Sequence, residues 1–263
     1  MNHILKSGYT IKIPHNHEGE FPQNEEYVVI ENTNTHDVDK VKLHDYGKIY
    51  AIPGLYEYLY YNQLKCRSPE KICELLKQVI ENESLDMSQL QVLDIGAGNG
   101  LVGEQLHLLG IRNIYGIDIE SEAKKAVERD RPNIYKNYYL ADLTKISVSV
   151  LSKLKEKSLN CMTVVAALGF NDIPPKAFAI GFNLLSTEAL VAFNIKEEFL
   201  SIDKSMNKST DFSVFINRMI QDNVIENYSK ILYQHRLSIQ NKPIYYYAIV
   251  ANKNRNIPVG WFL

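Results

Sequence analysis

Apolar and polar positions change rhythm along the chain. From Gln91 onward, short apolar runs alternate with stretches whose apolar residues recur every three or four positions. The first pattern reads as buried strands and the second as helices with one buried face. It predicts strands at 91–95, 114–117, 135–140, 159–167 and 189–195, and helices at 99–109, 121–129, 146–155, 174–185 and 211–221. Gly110 stops the first of these helices, Pro132 follows the second, Pro174-Pro175 opens the fourth, and Asp211 caps the last. Residues 230–240 and 243–251 are extended runs joined by Asn241-Lys242, a hairpin signal. Strand–helix alternation predicts an α/β fold: a doubly wound, mostly parallel sheet covered by helices on both faces, closed by an antiparallel terminal hairpin.

The part before Gln91 reads differently. Ser68 and Pro69 supply an N-cap and a proline at the first helical position. Ile72, Leu75, Leu76, Val79 and Ile80 then share one face. Residues 44–64 are rich in tyrosine and broken at Pro53-Gly54, so they read as two short helical pieces around a turn. Residues 1 to 40 are polar, with only Tyr27-Val28-Val29-Ile30 patterned as a strand, and are expected to be an irregular arm. The chain thus divides into an arm with an aromatic segment, 1–67, and a core, 68–263.

Composition narrows the function. Forty-five per cent of the 263 residues are hydrophobic, enough for a full core, and 29 basic against 31 acidic residues give a net charge of −2. That balance disfavours a nucleic-acid partner, which needs a basic excess or patch. No apolar run approaches the roughly 18 residues of a membrane span. The opening MNHILKSGYTIKIPH has no apolar signal region. Cys66, Cys73 and Cys161 form neither a disulfide framework nor a C-x-x-C pair, so no metal site is expected. A cytoplasmic protein fits these readings.

The strongest chemical signal is Val92-Leu93-Asp94-Ile95-Gly96-Ala97-Gly98-Asn99-Gly100, a strand running into a glycine-rich turn with a helix directly after. Gly96 and Gly98 allow a tight turn and close approach of backbone to a ligand. A dinucleotide loop of the G-x-G-x-x-G type would put its third glycine at 101, where this chain has Leu101. Asp94 can hold the loop by accepting its N–H groups or can reach a cationic ligand; a pyrophosphate would be repelled.

The segment D-I-G-A-G-N-G resembles the first motif of class I S-adenosylmethionine-dependent methyltransferases. The resemblance covers Ser68 to about Ala251 and implies S-adenosyl-L-methionine as cofactor, with a seven-stranded sheet of order 3-2-1-4-5-7-6. It implies cofactor contacts from Asp94, Gly96, Ala97 and Gly98 in the loop. It also implies Asp118 on the ribose with Ile119 on the adenine, Asp142 and Leu143 after the third strand, and Ala166 after the fourth. In many small-molecule members an aromatic N-terminal helix closes over the donor; here Tyr46 and Tyr50, four apart on one helical face, are placed for that role.

The acceptor is less marked. Nucleic-acid amino-methylating enzymes carry Asn/Asp-Pro-Pro-aromatic after the fourth strand. Here Asn171-Asp172-Ile173-Pro174-Pro175-Lys176 interrupts that motif and lacks the aromatic. Methyl transfer needs a base only when the acceptor must lose a proton early. Asp172 and His44 are the candidates, with His235 behind them; Cys66 and Cys161 lack a sequence-adjacent base. The expected function is methyl transfer to a small-molecule acceptor. A catalytically silent cofactor-binding regulator of the same fold and, less favoured by Leu101, a nicotinamide-dependent oxidoreductase are the alternatives.

Overall fold

The computed structural model describes residues 3–14, 22–170, 172–200 and 211–262. Asn171 and the side chain of Asp211, and with it the expected cap, lie outside the described residues.

Much of the expected irregular arm is a four-stranded antiparallel sheet. Strands β1 (His3–Leu5), β2 (Tyr9–Lys12), β3 (Tyr27–Asn32) and β4 (Val38–Lys42) lie in sequential order. Each gives only one or two apolar residues to its covered face: Ile11 from β2, Val28 and Ile30 from β3, Val41 from β4. Strands so short carry too few alternations to register as a period of two, and Ile4 and Val38, apolar but exposed, blur the pattern further. The covered face packs on the aromatic segment through Ile49, Leu55 and Leu59. That segment comprises α1 (Tyr46–Ala51), a turn with Gly54 at φ +78°, and α2 (Leu55–Glu57) passing into a wider π-helical turn over Tyr58–Gln63. The Tyr60 hydroxyl donates to the Leu43 carbonyl. Glu26 and Arg236, both buried, form an ion pair joining β3 to the far end of the chain, and the second Glu26 oxygen accepts from the Ile239 N–H at 2.7 Å.

The second sheet has seven strands: β5 (Gln91–Ile95), β6 (Asn113–Asp118), β7 (Asn137–Leu140), β8 (Cys161–Val164), β9 (Leu190–Lys196), β10 (Ile225–Leu237) and β11 (Pro243–Lys253). Their order is β10-β11-β9-β8-β5-β6-β7, and only β11 runs antiparallel to its neighbours. Numbered within the sheet, this is 3-2-1-4-5-7-6 read from the β7 edge, as the resemblance implies. Helices cover both faces. Leu93 and Ile95 of β5 point toward α5 (Pro175–Asn183) and α6 (Asp211–Gln221), in a cluster with Phe178, Phe193 and Phe215. Val92 points the other way, toward α3 (Ser68–Asn82) and α4 (Leu101–Leu108), with Ile72, Leu76 and Leu106. A strand covered on both faces reads as continuously apolar, which is why β8 and β9 stood out in the sequence.

Several boundaries depart from the expected ones, and Ser68 opens α3 as its first helical residue instead of capping it. β7 begins at Asn137, because Tyr135 turns inward to the loop below. β8 ends at Val164, where the chain leaves the sheet toward Ala166 at φ +57°. β10 begins at Ile225, with a register shift between Glu226 and Ser229 that breaks its alternation.

Candidate functional site

Where β5 ends, Gly96 (φ +69°) and Gly98 (φ +53°) turn the chain back over the sheet. A Cβ on Gly98 would collide with the Tyr50 hydroxyl, so the aromatic segment touches the loop directly. Gly96 and Ala97 donate their N–H groups to the Ile117 carbonyl at 2.9 and 3.2 Å. Gly98 donates to Asp118 Oδ2 at 2.8 Å, and the other Asp118 oxygen accepts from the Glu120 N–H at 2.9 Å. Burial raises the Asp118 carboxyl, and these backbone bonds oppose the rise.

Asp94 does something other than the sequence suggested. Its carboxylate is buried under the loop and accepts from the hydroxyls of Thr163 (2.6 Å) and Tyr135 (2.7 Å); the loop N–H goes to Asp118 instead. Burial pushes Asp94 up to about 6, against the pull of those two hydroxyls.

A cavity of about 400 Å³ opens over the carboxyl ends of β5, β6 and β8. That is the side on which open parallel sheets bind ligands, at the point where strand order reverses. Ile95, Gly96 and Ile117 form its floor. Asp118, Ile119 and Glu120 follow from β6, Asp142, Leu143 and Thr144 from β7, and Ala166 and Ala167 from β8. Ten of the residues singled out in the sequence line it: Gly96, Asp118, Ile119, Asp142, Leu143, Ala166, Tyr46, Tyr50, His44 and Asp172. Asp94, Ala97 and Gly98 are not among the lining residues; they shape the loop from beneath and behind. Glu120, Tyr56 and Ile173 line the cavity without having been singled out as site residues. Glu120 adjoins Ile119, and Tyr56 lies in the tyrosine-rich stretch, but neither position carries a motif.

One Asp142 oxygen accepts from the Thr144 N–H (2.8 Å) and hydroxyl (2.7 Å), bonds that hold its carboxyl below the usual range. The Ala166 N–H donates to Asn194 Oδ1 at 2.6 Å. Asn194 in turn donates to Ser68 (2.9 Å) and Tyr233 (2.7 Å), and Ser68 meets His235 Nδ1 at 2.5 Å. His235 therefore belongs to a buried network under the β8 end. It stacks on Tyr246, its burial holds it well below the ordinary histidine value, and it does not line the cavity.

The roof is aromatic. Tyr46, Tyr50 and Tyr56 face the cavity, with Tyr50 and Tyr56 stacked at 4.9 Å between centroids and Tyr56 and Tyr60 at 4.6 Å. Burial raises all four phenols well above their ordinary value. The segment is pinned to the loop: Glu57 accepts from Asn99 Nδ2 (2.7 Å) and from Arg131 (2.9 Å). At one end of the roof, His44 Nδ1 lies 3.3 Å from Asp172 Oδ2, with the His44 ring 5.2 Å from Phe170 and 5.8 Å from Tyr46.

Among the described residues, the lining includes four carboxylates, Asp118, Glu120, Asp142 and Asp172, and neither lysine nor arginine. Such a wall favours hydroxyls, amino groups and cations and repels phosphate. Among the described residues, no cluster of His, Cys, Asp and Glu could hold a metal ion, and no helix is long and apolar enough to cross a membrane.

No family model and no curated protein matches the chain. Solved structures similar to it include a magnesium protoporphyrin IX methyltransferase from Synechocystis PCC 6803 with bound S-adenosylmethionine. It is 12% identical, over 71% of this chain and 79% of that one, with a TM-score of 0.46. An S-adenosylmethionine-dependent methyltransferase from Archaeoglobus fulgidus is 16% identical over 76% of this chain and 98% of that one, at 0.46. Another from Methanosarcina mazei is 17% identical over 66% and 97%, also at 0.46. By its own strand order and single antiparallel strand, the chain has the seven-stranded Rossmann-like fold of class I methyltransferases.

Proposed function

We propose that this protein is an S-adenosylmethionine-dependent methyltransferase acting on a small molecule. The observation that carries the reading is the cavity over β5, β6 and β8, walled by carboxylates and, among the described residues, by no lysine or arginine. The methyl donor is a sulfonium with ribose hydroxyls and amino groups, and these are the groups such a wall attracts. A dinucleotide brings a pyrophosphate, which the wall repels. A cavity of about 400 Å³ lies within the range of cofactor pockets, roughly 300–1,000 Å³.

Asp118 would accept from the ribose hydroxyls. Its oxygens already take one backbone N–H each and keep further lone pairs for a ligand. Ile119 and Leu143 would flank the adenine, and Asp142 would meet its amino group. Gly96 gives the donor close access to backbone. Tyr46 and Tyr50 would cover it, excluding water from the reacting centre. When bound, the donor supplies an activated methyl group, and the protein's own task is to hold the acceptor in line with it. The catalytically silent regulator shares every one of these contacts and differs only in turnover.

The test is calorimetry on the full chain with S-adenosylmethionine, S-adenosylhomocysteine and NAD, followed by a metabolite screen with methyl-labelled donor. Binding of the first two but not NAD, with label passing to a metabolite, supports the reading. NAD binding in their place would overturn it.

A further inference from the structure

Asp172 and His44 come from distant parts of the chain and meet in the cavity wall. One follows β8; the other follows β4 of the small sheet. Their meeting at 3.3 Å is the only place where the cavity pairs an imidazole with a carboxylate among the described residues. With Nδ1 facing Asp172, Nε2 is the nitrogen left to take a proton. The partner carboxylate fixes the tautomer and offsets the charge that forms on protonation. The surroundings are mostly aromatic and apolar, with Phe170 and Tyr46 beside the ring and Ile173 and Pro174 along the wall; Lys196 Nζ lies beyond, 5.7 Å from the Phe170 centroid.

Resting on the methyl-transfer reading, we infer that the acceptor is a small aromatic or enolic hydroxyl compound, deprotonated by His44 with Asp172 as its positioning residue. The choice among acceptors follows from what each would need. An arylamine is unprotonated near neutral pH, attacks with its lone pair and sheds its proton afterwards, so it needs no base held in place; an alkylammonium, with an ordinary value near 10.4, needs one as a phenol does, and benzylamine tests it. A thiol, with an ordinary value near 8.5, supplies thiolate by itself. A carboxylate is already ionised and would face the carboxylates of Asp172 and Asp118. A phenolic hydroxyl, with an ordinary value near 10, is the group that a paired imidazole can usefully deprotonate as it reacts. Its ring suits the Tyr46 and Phe170 side of the wall.

The step balances. The acceptor O–H bond breaks and its proton passes to His44 Nε2. The oxygen's electron pair forms a bond to the donor's methyl carbon. The carbon–sulfur bond breaks and its pair stays on sulfur, leaving a neutral thioether. The imidazolium beside Asp172 then returns its proton to water.

The experiment uses the full chain, methyl-labelled S-adenosylmethionine and a size-matched panel: substituted phenols, benzylamine, benzyl mercaptan and benzoate. Donor binding is measured first and alone; its absence overturns the methyl-transfer reading itself. Where the donor binds, labelled phenol ethers are expected, and transfer only to the other compounds, or to none, overturns the hydroxyl assignment. For a methylated phenol, His44→Ala is expected to lower kcat by about 10²–10⁴-fold, with donor affinity retained and kcat partly restored by added imidazole. Asp172→Asn is expected to lower kcat by less, with little change in KM. His44→Gln keeps the side-chain volume and is read alongside. Activity near wild type in both His44 variants, a loss that imidazole does not restore, or loss of donor binding in both would each overturn the base role.

Discussion

Asp118 and Asp94 stand near the ends of two neighbouring strands and answer to different physics. Asp118 holds the glycine loop through Gly98 and lines the cavity. Asp118→Ala should weaken donor binding by at least tenfold in calorimetry, since a hydrogen bond to a charged group contributes about 1.5–3 kcal/mol. Unchanged affinity would remove Asp118 from the site. Asp94 is buried, and burial lifts its carboxyl from 3.8 to about 6. The folded state therefore holds that proton more tightly than the unfolded chain between those two values, so this group's contribution to stability falls as pH rises through the window and is level above it. The full effect is on the order of 3 kcal/mol. Denaturant unfolding of wild type and Asp94→Asn from pH 4 to 7 should show wild type losing ground across the window; parallel curves would contradict it. At this scale the motif around Asp94 identified the loop, and position alone found Asp118 and Asp142. What Asp94's oxygens accept was not legible, because Thr163 and Tyr135 reach it only through the pairing of β8 with β5 and the inward turn before β7.

Among the elements, the four-stranded N-terminal sheet was the one most hidden in sequence. Its strands have one apolar side each and little length, so they become strands by pairing rather than by local preference. The seven-stranded sheet was legible for the opposite reason: strands covered on both faces leave long apolar runs. What joins the two is the buried pair Glu26–Arg236, with Glu26 also accepting the Ile239 N–H. Glu26→Gln should cost about 3–5 kcal/mol by leaving a buried guanidinium without its counter-charge. The double variant Glu26→Met/Arg236→Met should recover most of that. Thermal unfolding of the three proteins checks this, and equal midpoints would show that the pair contributes nothing. Because the Leu43 N–H donates to the Glu26 carbonyl, the same clamp sets the position of His44 next to it, which no sequence pattern announces.

At the scale of the whole molecule, the carboxylate-lined cavity covered by tyrosines is proposed as a site for a sulfonium methyl donor. Ligand that binds only the folded state raises its stability, by about 2.7 kcal/mol at a concentration one hundred times Kd, so S-adenosylmethionine should also raise the melting temperature. The most direct measurement is isothermal calorimetry of S-adenosylmethionine and NAD against the full chain and Asp118→Ala. The expected result is one donor site per chain, weakened at least tenfold by Asp118→Ala, and no heat with NAD. No binding of the donor, or NAD binding in its place, would contradict it.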